Sequence, residues 1–550
     1  MNNPNINPKT IVPPVRNLTN RSPLRRGFLL ILLTLALALF AISQTSQAVT
    51  PLPDEGYPNG NTGEGHGGLF SLTTGSSNTA IGLGTLIDST TSNRALWLRR
   101  YNGPDNGSDS AQAIAVSPDG TKVFVTGYSD GVDPGFSFDY ATVAYDVATG
   151  RKLWLNRYNG SVCTDAAAAL AVSLDGTKVF VTGFSGCLGT EDYATVAYDS
   201  GTGQELWVRR YDGPTGDPDE AYAVAVNPDG SRVFVTGRSF GLLGEGRDYA
   251  TVAYDAATGQ ELWVRRYVGP GHGEKHSNDE AYAVAVSPDG SKVFVTGASM
   301  GIGFNSDYAT LAYDATTGRT LWLARYNGLA NMEDFAQAMA VSPDGTKVFV
   351  TGYSYSGSSF SDYATLSYDA ATGQELWLSR YDDPANGFDF AYAVAASPDG
   401  TKVFVTGSSD GLDLGISDYA TLAYDAAAGE KLWLRRYNGS GNNSDSAYAV
   451  AVSPDGSKVF VTGFSSGLDP GFPFDYATLA YDTAAGHNLW LQRYNGPARR
   501  SDLAYDLVVS PDGTKVFVTG SSDGIDSGSD YATLAYAAVV PGTSVVTTDH

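Results

Sequence analysis

Histidine and cysteine are scarce in this chain, at five and two residues in 550. That excludes a Cys/His-rich metal framework and a multi-disulfide scaffold. Basic residues are also few: 35 Lys and Arg stand against 59 Asp and Glu, for a net charge of −24. Five of the basic side chains (Lys9, Arg16, Arg21, Arg25, Arg26) precede residue 49, where no acidic residue occurs, so the remainder stands at −29. Such a surface repels nucleic acid and anionic lipid, because phosphate contacts need clustered Lys and Arg, and it keeps the chain soluble. No segment of the repeat that fills most of the chain has helical periodicity. Also missing are G-x-S-x-G, H-E-x-x-H and a Gly-rich phosphate loop opening a helix. Carboxylates are too numerous to single out a glycosidase pair.

Only one long apolar run is present, at 27–42. It is short for a spanning helix and suits the core of an export signal. Arg25-Arg26 precede it, and Ser46-Gln47-Ala48 offer small residues at the −3 and −1 positions of a cleavage site. Residues 1–48 are therefore expected to be a bacterial export signal, leaving a periplasmic or extracellular protein. Leu24 to Leu29 also resembles a twin-arginine signal, although the very apolar core argues for the general secretory route. An uncleaved N-terminal anchor is the alternative and the only expected link to a membrane. Residues 49–91 have the Gly/Ser/Thr-rich composition of a linker. Within it, 66–93 resembles the Asn-Thr-Ala-x-Gly repeats of adhesin-like β-rolls, but one such unit cannot bury its own face.

From residue 92 to 537 the chain repeats. Tryptophan recurs every 53 to 59 residues, at Trp97, Trp154, Trp207, Trp263, Trp322, Trp377, Trp433 and Trp490, which is the mark of a repeat architecture. One unit has four alternating segments: AQAIAVSP (111–118), KVFVTGYS (122–129), DYATVAYD (139–146) and KLWLNRY (152–158). Period-2 alternation and Val, Tyr, Phe and Thr enrichment make each a strand. Ser117-Pro118-Asp119-Gly120 is a tight hairpin turn, with Pro at its second position and Gly at its fourth. Four antiparallel strands repeated eight times predict an all-β fold, an eight-bladed β-propeller. Trp97 arrives as a lone fourth strand, and the last unit stops after its third strand at Tyr536. The N-terminal Trp97 strand is therefore expected to complete the last blade and close the ring. Residues 538–550 are then a tail.

The A-Y-D-x-x-T-G-x-x-L-W pattern of Ala144 to Trp154 resembles the tryptophan-docking motif of quinoprotein dehydrogenase-like propellers, across nearly the whole repeat region. The resemblance implies an outer-strand Trp packed between blades, with Asp and Gly shaping the preceding turn. It also implies, for the enzymes of the family, a quinone stacked over an axial Trp beside an adjacent Cys-Cys pair and a calcium ion. Here all eight tryptophans fall at docking positions and no two cysteines are adjacent, so no cofactor is expected.

Two acidic series recur. Asp139 and its counterparts open the D-Y-A-T strands, and an Arg-Tyr pair ends each fourth strand. Arg157 should therefore meet Asp139 across the two strands. A second series, Asp109, Asp165, Asp219, Asp279, Asp334, Asp389, Asp445 and Asp502, precedes the first strands in a D-x-A pattern. Each satisfies a local Ser or backbone amide; the alternative is a ring of metal ligands at one channel mouth, taking a hard cation such as calcium. With Asp175-Gly176 at the hairpin centre, Cys163 and Cys187 face each other and are expected to form a disulfide in an exported protein.

The Ser-Pro-Asp-Gly and Asp-x-x-Thr-Gly turns share one face and hardly vary. Loops after strands two and four share the other and differ, so binding is expected there. The longest, 267–280, holds His272, Glu274, His276, Asp279 and Glu280, read as solvated side chains rather than metal ligands. The expected function is a non-catalytic, monomeric, exported propeller that binds a protein, glycan or small ligand. The alternatives are a quinone- or calcium-dependent oxidoreductase and a hydrolase or lyase using loop carboxylates.

Overall fold

The computed structural model describes residues 62–64, 79–81 and 95–539, apart from short stretches at 132–136, 161–162, 242–245, 272–277, 304, 358–359, 385, 412–415, 442 and 468–472. The described residues are all-β. Thr62–Glu64 and Thr79–Ile81 pair in parallel within the stretch read as linker. The expected export signal and the end of the tail lie outside the described residues.

From Ala95 onward the strands form four-stranded antiparallel sheets, the blades of a β-propeller, in the order first to fourth along the chain. Two neighbouring sheets merge into one of eight strands through a single parallel pair, Phe138 with Thr164. In the final sheet the fourth strand is Ala95–Tyr101, which pairs antiparallel with Ser529–Ala537. First strands of successive sheets pack on one another, while fourth strands lie at the outer edge.

Each first strand carries a bulge after its second, third or fourth residue. In Asp109–Val116 the register slips between Ala111 and Ala113, and Gly127 lies across from it because a Cβ there would meet Ala111 Cα at 2.9 Å. This close approach is why Thr-Gly recurs in every second strand.

Burial is arranged between sheets rather than within them. One core cluster joins Phe124, Tyr140 and Trp154 of one sheet to Val179, Val181, Val196 and Tyr198 of the next. Trp154 Nε1 donates to Ser200 O at 3.0 Å, and the Gly203 turn lies on its indole. All eight indoles donate to a carbonyl beyond the third strand of the following sheet, from Trp97 to Val147 O at 3.1 Å to Trp490 to Ala538 O at 3.4 Å. The buried D-Y-A-T tyrosines make a second seam: Tyr140 Oη donates to Ala194 O (3.0 Å), and Tyr531 Oη donates to Ala141 O (3.0 Å). Buried Tyr and Trp need such partners for their polar ends.

Arg157 meets Asp139 at 2.7 Å as a diagonal cross-strand neighbour, and its Nη1 also donates to Tyr101 Oη of the preceding sheet (2.8 Å) and to Ser129 Oγ (2.6 Å). The same arginine-centred knot recurs at Arg266 with Asp248 and at Arg493 with Asp475. Cys163 and Cys187 form a disulfide, with Cα atoms 5.0 Å apart.

Candidate ligand-binding face

The D-x-A aspartates do not point at one another. Asp109 is fully buried, and its Oδ2 accepts the Gly103 N–H at 2.6 Å. Asp334 takes Gly328 N–H (2.6 Å), Asp279 takes Gly269 N–H (2.7 Å), Asp445 takes Gly439 N–H and Asp502 takes Gly496 N–H (both 2.5 Å). Asp165 takes Gly160 N–H at 2.7 Å, Asp389 takes Asp383 N–H at 2.9 Å, and Asp219 takes Gly213 N–H. Each carboxylate thus ties the loop leaving one sheet to the first strand of the next. Glycine recurs in that loop because a Cβ at residue 103 would fall 2.5 Å from Ser129 Oγ and 2.8 Å from Asp109 Oδ1.

Burial pushes these acids up, to about 6 at Asp109, Asp219 and Asp334 and to about 8 at Asp389 and Asp502, against the pull of the N–H and Ser contacts. Among the described residues no three of the eight come together. Two mixed groups do: Asp192, Asp212 and Asp219, and Asp362, Asp382 and Asp389. Each combines a D-Y-A-T Asp, an Asp following the Arg-Tyr pair, and one D-x-A Asp. His272, Glu274 and His276 lie outside the described residues, while Asp279 is buried and Glu280 is half-buried.

One layer around the axis varies from unit to unit. The x of D-x-A pairs across the strands with the x of T-G-x-S: Ser110 with Tyr128, Ala166 with Phe184, Glu220 with Arg238, and Glu280 with Ala298. The others are Phe335 with Tyr353, Phe390 with Ser408, Ser446 with Phe464, and Leu503 with Ser521. Each of these x positions lies at the end of its strand nearest the irregular loops. The pairs place large against small, acid against base, or ring against ring. This signal was present in the sequence as two varying positions inside fixed motifs, but their pairing needs the register.

One side of the layer is charged. Arg238 bridges Glu220 and Glu280, with the Glu280 contact at 3.0 Å, and Arg247 reaches Glu280 at 2.9 Å. Tyr222 Oη donates to Glu220 at 3.0 Å and Tyr282 Oη to Glu280 at 2.7 Å. Despite burial, which alone would raise it, the two arginines hold Glu280 down at about 2. The other side is aromatic. Phe335 stacks on Tyr353 at 5.1 Å, Tyr353 meets Phe390 edge-on at 4.8 Å, and Phe360 meets Phe388 at 4.7 Å. Phe335, Phe360, Phe388 and Phe390 are half-buried, presenting ring surface beside the loops. Such a wall suits stacking on a ligand, and the acid–arginine side suits its polar groups.

A stacked quinone fits these residues poorly. All eight indoles are committed to contacts between sheets, each at 6–8% exposure, so none remains to face the axis.

A family model described as outer membrane protein assembly factor BamB matches residues 85–244, 195–362 and 248–524. Tetrathionate hydrolase from Acidianus ambivalens is 30% identical over 143 residues, which is 26% of this chain; the chain spans 22% of the length of that curated relative. Among solved structures, Sqt1 from Chaetomium thermophilum, bound to the N-terminus of a ribosomal protein, superposes with a TM-score of 0.53 at 16% identity, covering 81% of this chain and all of that one. A quinohemoprotein alcohol dehydrogenase from Pseudomonas putida gives 0.49 at 15% identity, covering 83% of this chain and 78% of the enzyme. At these identities the structural likeness speaks for the fold alone.

Proposed function

Since the chain belongs to the PQQ-like repeat family described as outer membrane protein assembly factor BamB, we propose that it is a binding scaffold rather than an enzyme. Its ligand, a protein, glycan or small molecule, seats on the irregular-loop face against Phe335, Phe390, Glu220 and Arg238. The observation that carries this reading is the change of character at the paired x positions, from Glu220 with Arg238 to Phe335 with Tyr353. A fold that repeats every turn, Trp and Arg knot, yet changes character at one layer, has its individuality there.

The scaffold is an eight-bladed ring over 92–537, closed by the Trp97 strand. The pairing of Ala95–Tyr101 with Ser529–Ala537 and the Tyr531-to-Ala141 hydrogen bond support closure. Residues 1–48 act as an export signal and 49–91 as a linker; the Cys163–Cys187 bond suits an oxidising compartment. The protein works as a monomer.

The test is a glycan and peptide array probed with the wild type and with Phe335→Ala/Phe390→Ala. Binding that is lost in the double variant is expected. A dye-reduction assay with added quinone, run over alcohols and sugars, is expected to give no turnover; quinone-dependent turnover would overturn the reading.

A further inference from the structure

Four loops that leave a fourth strand, 102–109, 327–334, 382–389 and 495–502, are equal in length and share one turn. The fifth residue of each has a positive φ: Asn106 (+53°), Asn331 (+49°), Asn386 (+53°) and Arg499 (+51°). Its N–H donates to the carbonyl of the second residue, at 3.4 Å to Gly103, 3.2 Å to Gly328, 3.0 Å to Asp383 and 3.0 Å to Gly496. The third residue is Pro104, Pro384 or Pro497 in three of the loops, and Leu329 in the other. The sixth is Gly107, Gly387 or Arg500, and Met332 in the same exceptional loop. The turn therefore does not require a long aliphatic side chain at either place, and Leu329 and Met332 do not fill the interior. Leu329 is 90% exposed and Met332 42%.

A third aliphatic joins them. Ile302, 81% exposed, sits on the loop between the second and third strands of the same sheet. Asn305 Nδ2 donates to Asn331 O and so ties the two loops, while Gly301 N–H donates to Asn305 O at 2.7 Å. On the other side, Tyr355 N–H donates to Glu333 O at 3.2 Å, and a Cβ at Gly357 would fall 3.1 Å from Ala330 Cβ. The loop is thus held from both flanks. Leu188 and Ile525, also exposed on this face, each stand alone on their loops. Single exposed aliphatics are ordinary, whereas a group of them on a fixed surface marks a contact with another protein.

Glu333, next to Met332, is exposed. It forms no ion pair among the described residues: Arg325 is on Asp307 at 2.7 Å, and every described lysine opens a second or fourth strand, at the opposite face. A partner that covers this loop gains by bringing a base.

We propose that Ile302, Leu329 and Met332 are a docking patch for another protein, which contributes an apolar segment with Lys or Arg beside it to meet Glu333. This rests on the binding-scaffold reading and narrows its ligand to a protein, because branched and thioether side chains pack on apolar side chains, whereas a sugar is held by ring stacking and hydroxyl contacts. Phe335, three residues beyond Met332, continues the patch into the aromatic wall.

Full-length protein is applied to an array of synthetic peptides in three classes: apolar with Lys, apolar with Glu, and polar with Lys. Hits are expected in the first class, and their affinities are then measured by fluorescence anisotropy. Leu329→Ser/Met332→Ser, at exposed positions, is expected to keep the melting temperature and to lose about tenfold in affinity. Glu333→Gln is expected to lose about threefold, the share of one exposed ion pair. Hits spread evenly over the three classes, no peptide hits, or a double variant that binds like the wild type each overturn the patch. Binding that is lost in Phe335→Ala/Phe390→Ala but kept in Leu329→Ser/Met332→Ser overturns the patch and leaves the scaffold reading standing. Self-association of the wild type in sedimentation, abolished by Leu329→Ser, would give the patch to a second copy and overturn the proposed partner.

Discussion

Gly150 lies against the indole of Trp97: its φ is +68°, and a Cβ there would fall 2.6 Å from Trp97 Cδ2. These residues belong to different sheets, one completed by the N-terminal strand and the other the first full sheet. The same contact joins Gly203 to Trp154 and Gly259 to Trp207. Gly150→Ala combines a left-handed backbone with overpacking and is expected to cost about 2–4 kcal/mol. Urea unfolding of Gly150→Ala and Gly203→Ala should give similar losses. A much smaller loss at Gly150 would mean that the terminal strand is not held like the others.

Trp97→Ala tests closure from the other side of that contact. Each buried indole fills a junction between sheets, and its loss is expected to cost about 3–5 kcal/mol. Trp97→Ala should match Trp154→Ala in denaturant midpoint, and proteolysis of the N-terminal strand should not precede global unfolding. Early release of that strand would count against a closed ring.

The disulfide closes a loop with a sequence separation of 24. Cys163→Ser/Cys187→Ser is expected to lower stability by about 3 kcal/mol, from chain entropy in the unfolded state. Alkylation without reductant should label neither cysteine of the wild type; labelling of both would refute the bond.

Asp502 should make stability depend on pH in an unusual direction for a carboxylate. Burial outweighs the Gly496 N–H and the Ser522 hydroxyl, and pushes Asp502 up to about 8. The unfolded chain ionises it near pH ~4. Its folded-state pKa is raised, so its contribution is full below pH ~4 and is lost as pH rises towards 8. Asp502→Asn removes that loss. Its melting temperature should therefore gain on the wild type between pH 4 and 8, and a pH-independent difference would contradict the assignment.

Among the described residues, Arg238 alone pairs with both Glu220 and Glu280. Arg238→Ala leaves the buried Glu220 without its arginine, while Glu280 keeps Arg247, and is expected to cost about 3 kcal/mol. Adding Glu220→Gln should restore part of the loss. A strictly additive double variant would show that the two residues are not coupled.

The local devices were legible because each is short in sequence and repeats. Alternation gave the strands, Ser-Pro-Asp-Gly the hairpins, and hairpin counting placed Cys163 by Cys187 and Arg157 by Asp139. The D-x-A series was read as a ring at a channel mouth or as local hydrogen bonding. The residues around it explain why periodicity could not decide: Asp109 turns back to Gly103, and among the described residues a three-carboxylate group forms only where Asp212 or Asp382 follows the Arg-Tyr pair.

By itself the sequence determined the repeat, its strands and turns, and the shortage of catalytic motifs, since these rest on backbone preference and side-chain periodicity within about 55 residues. Tertiary structure decided what neighbouring units do to one another. Trp97 reaches the turn at Gly150 in a different sheet. Glu220 and Glu280, in successive first strands, are brought onto Arg238 by the packing of their sheets. Asp109, in a first strand, is tied to Gly103 of the loop leaving the preceding sheet. Those relations depend on register and close packing between sheets, which no pattern along the chain encodes.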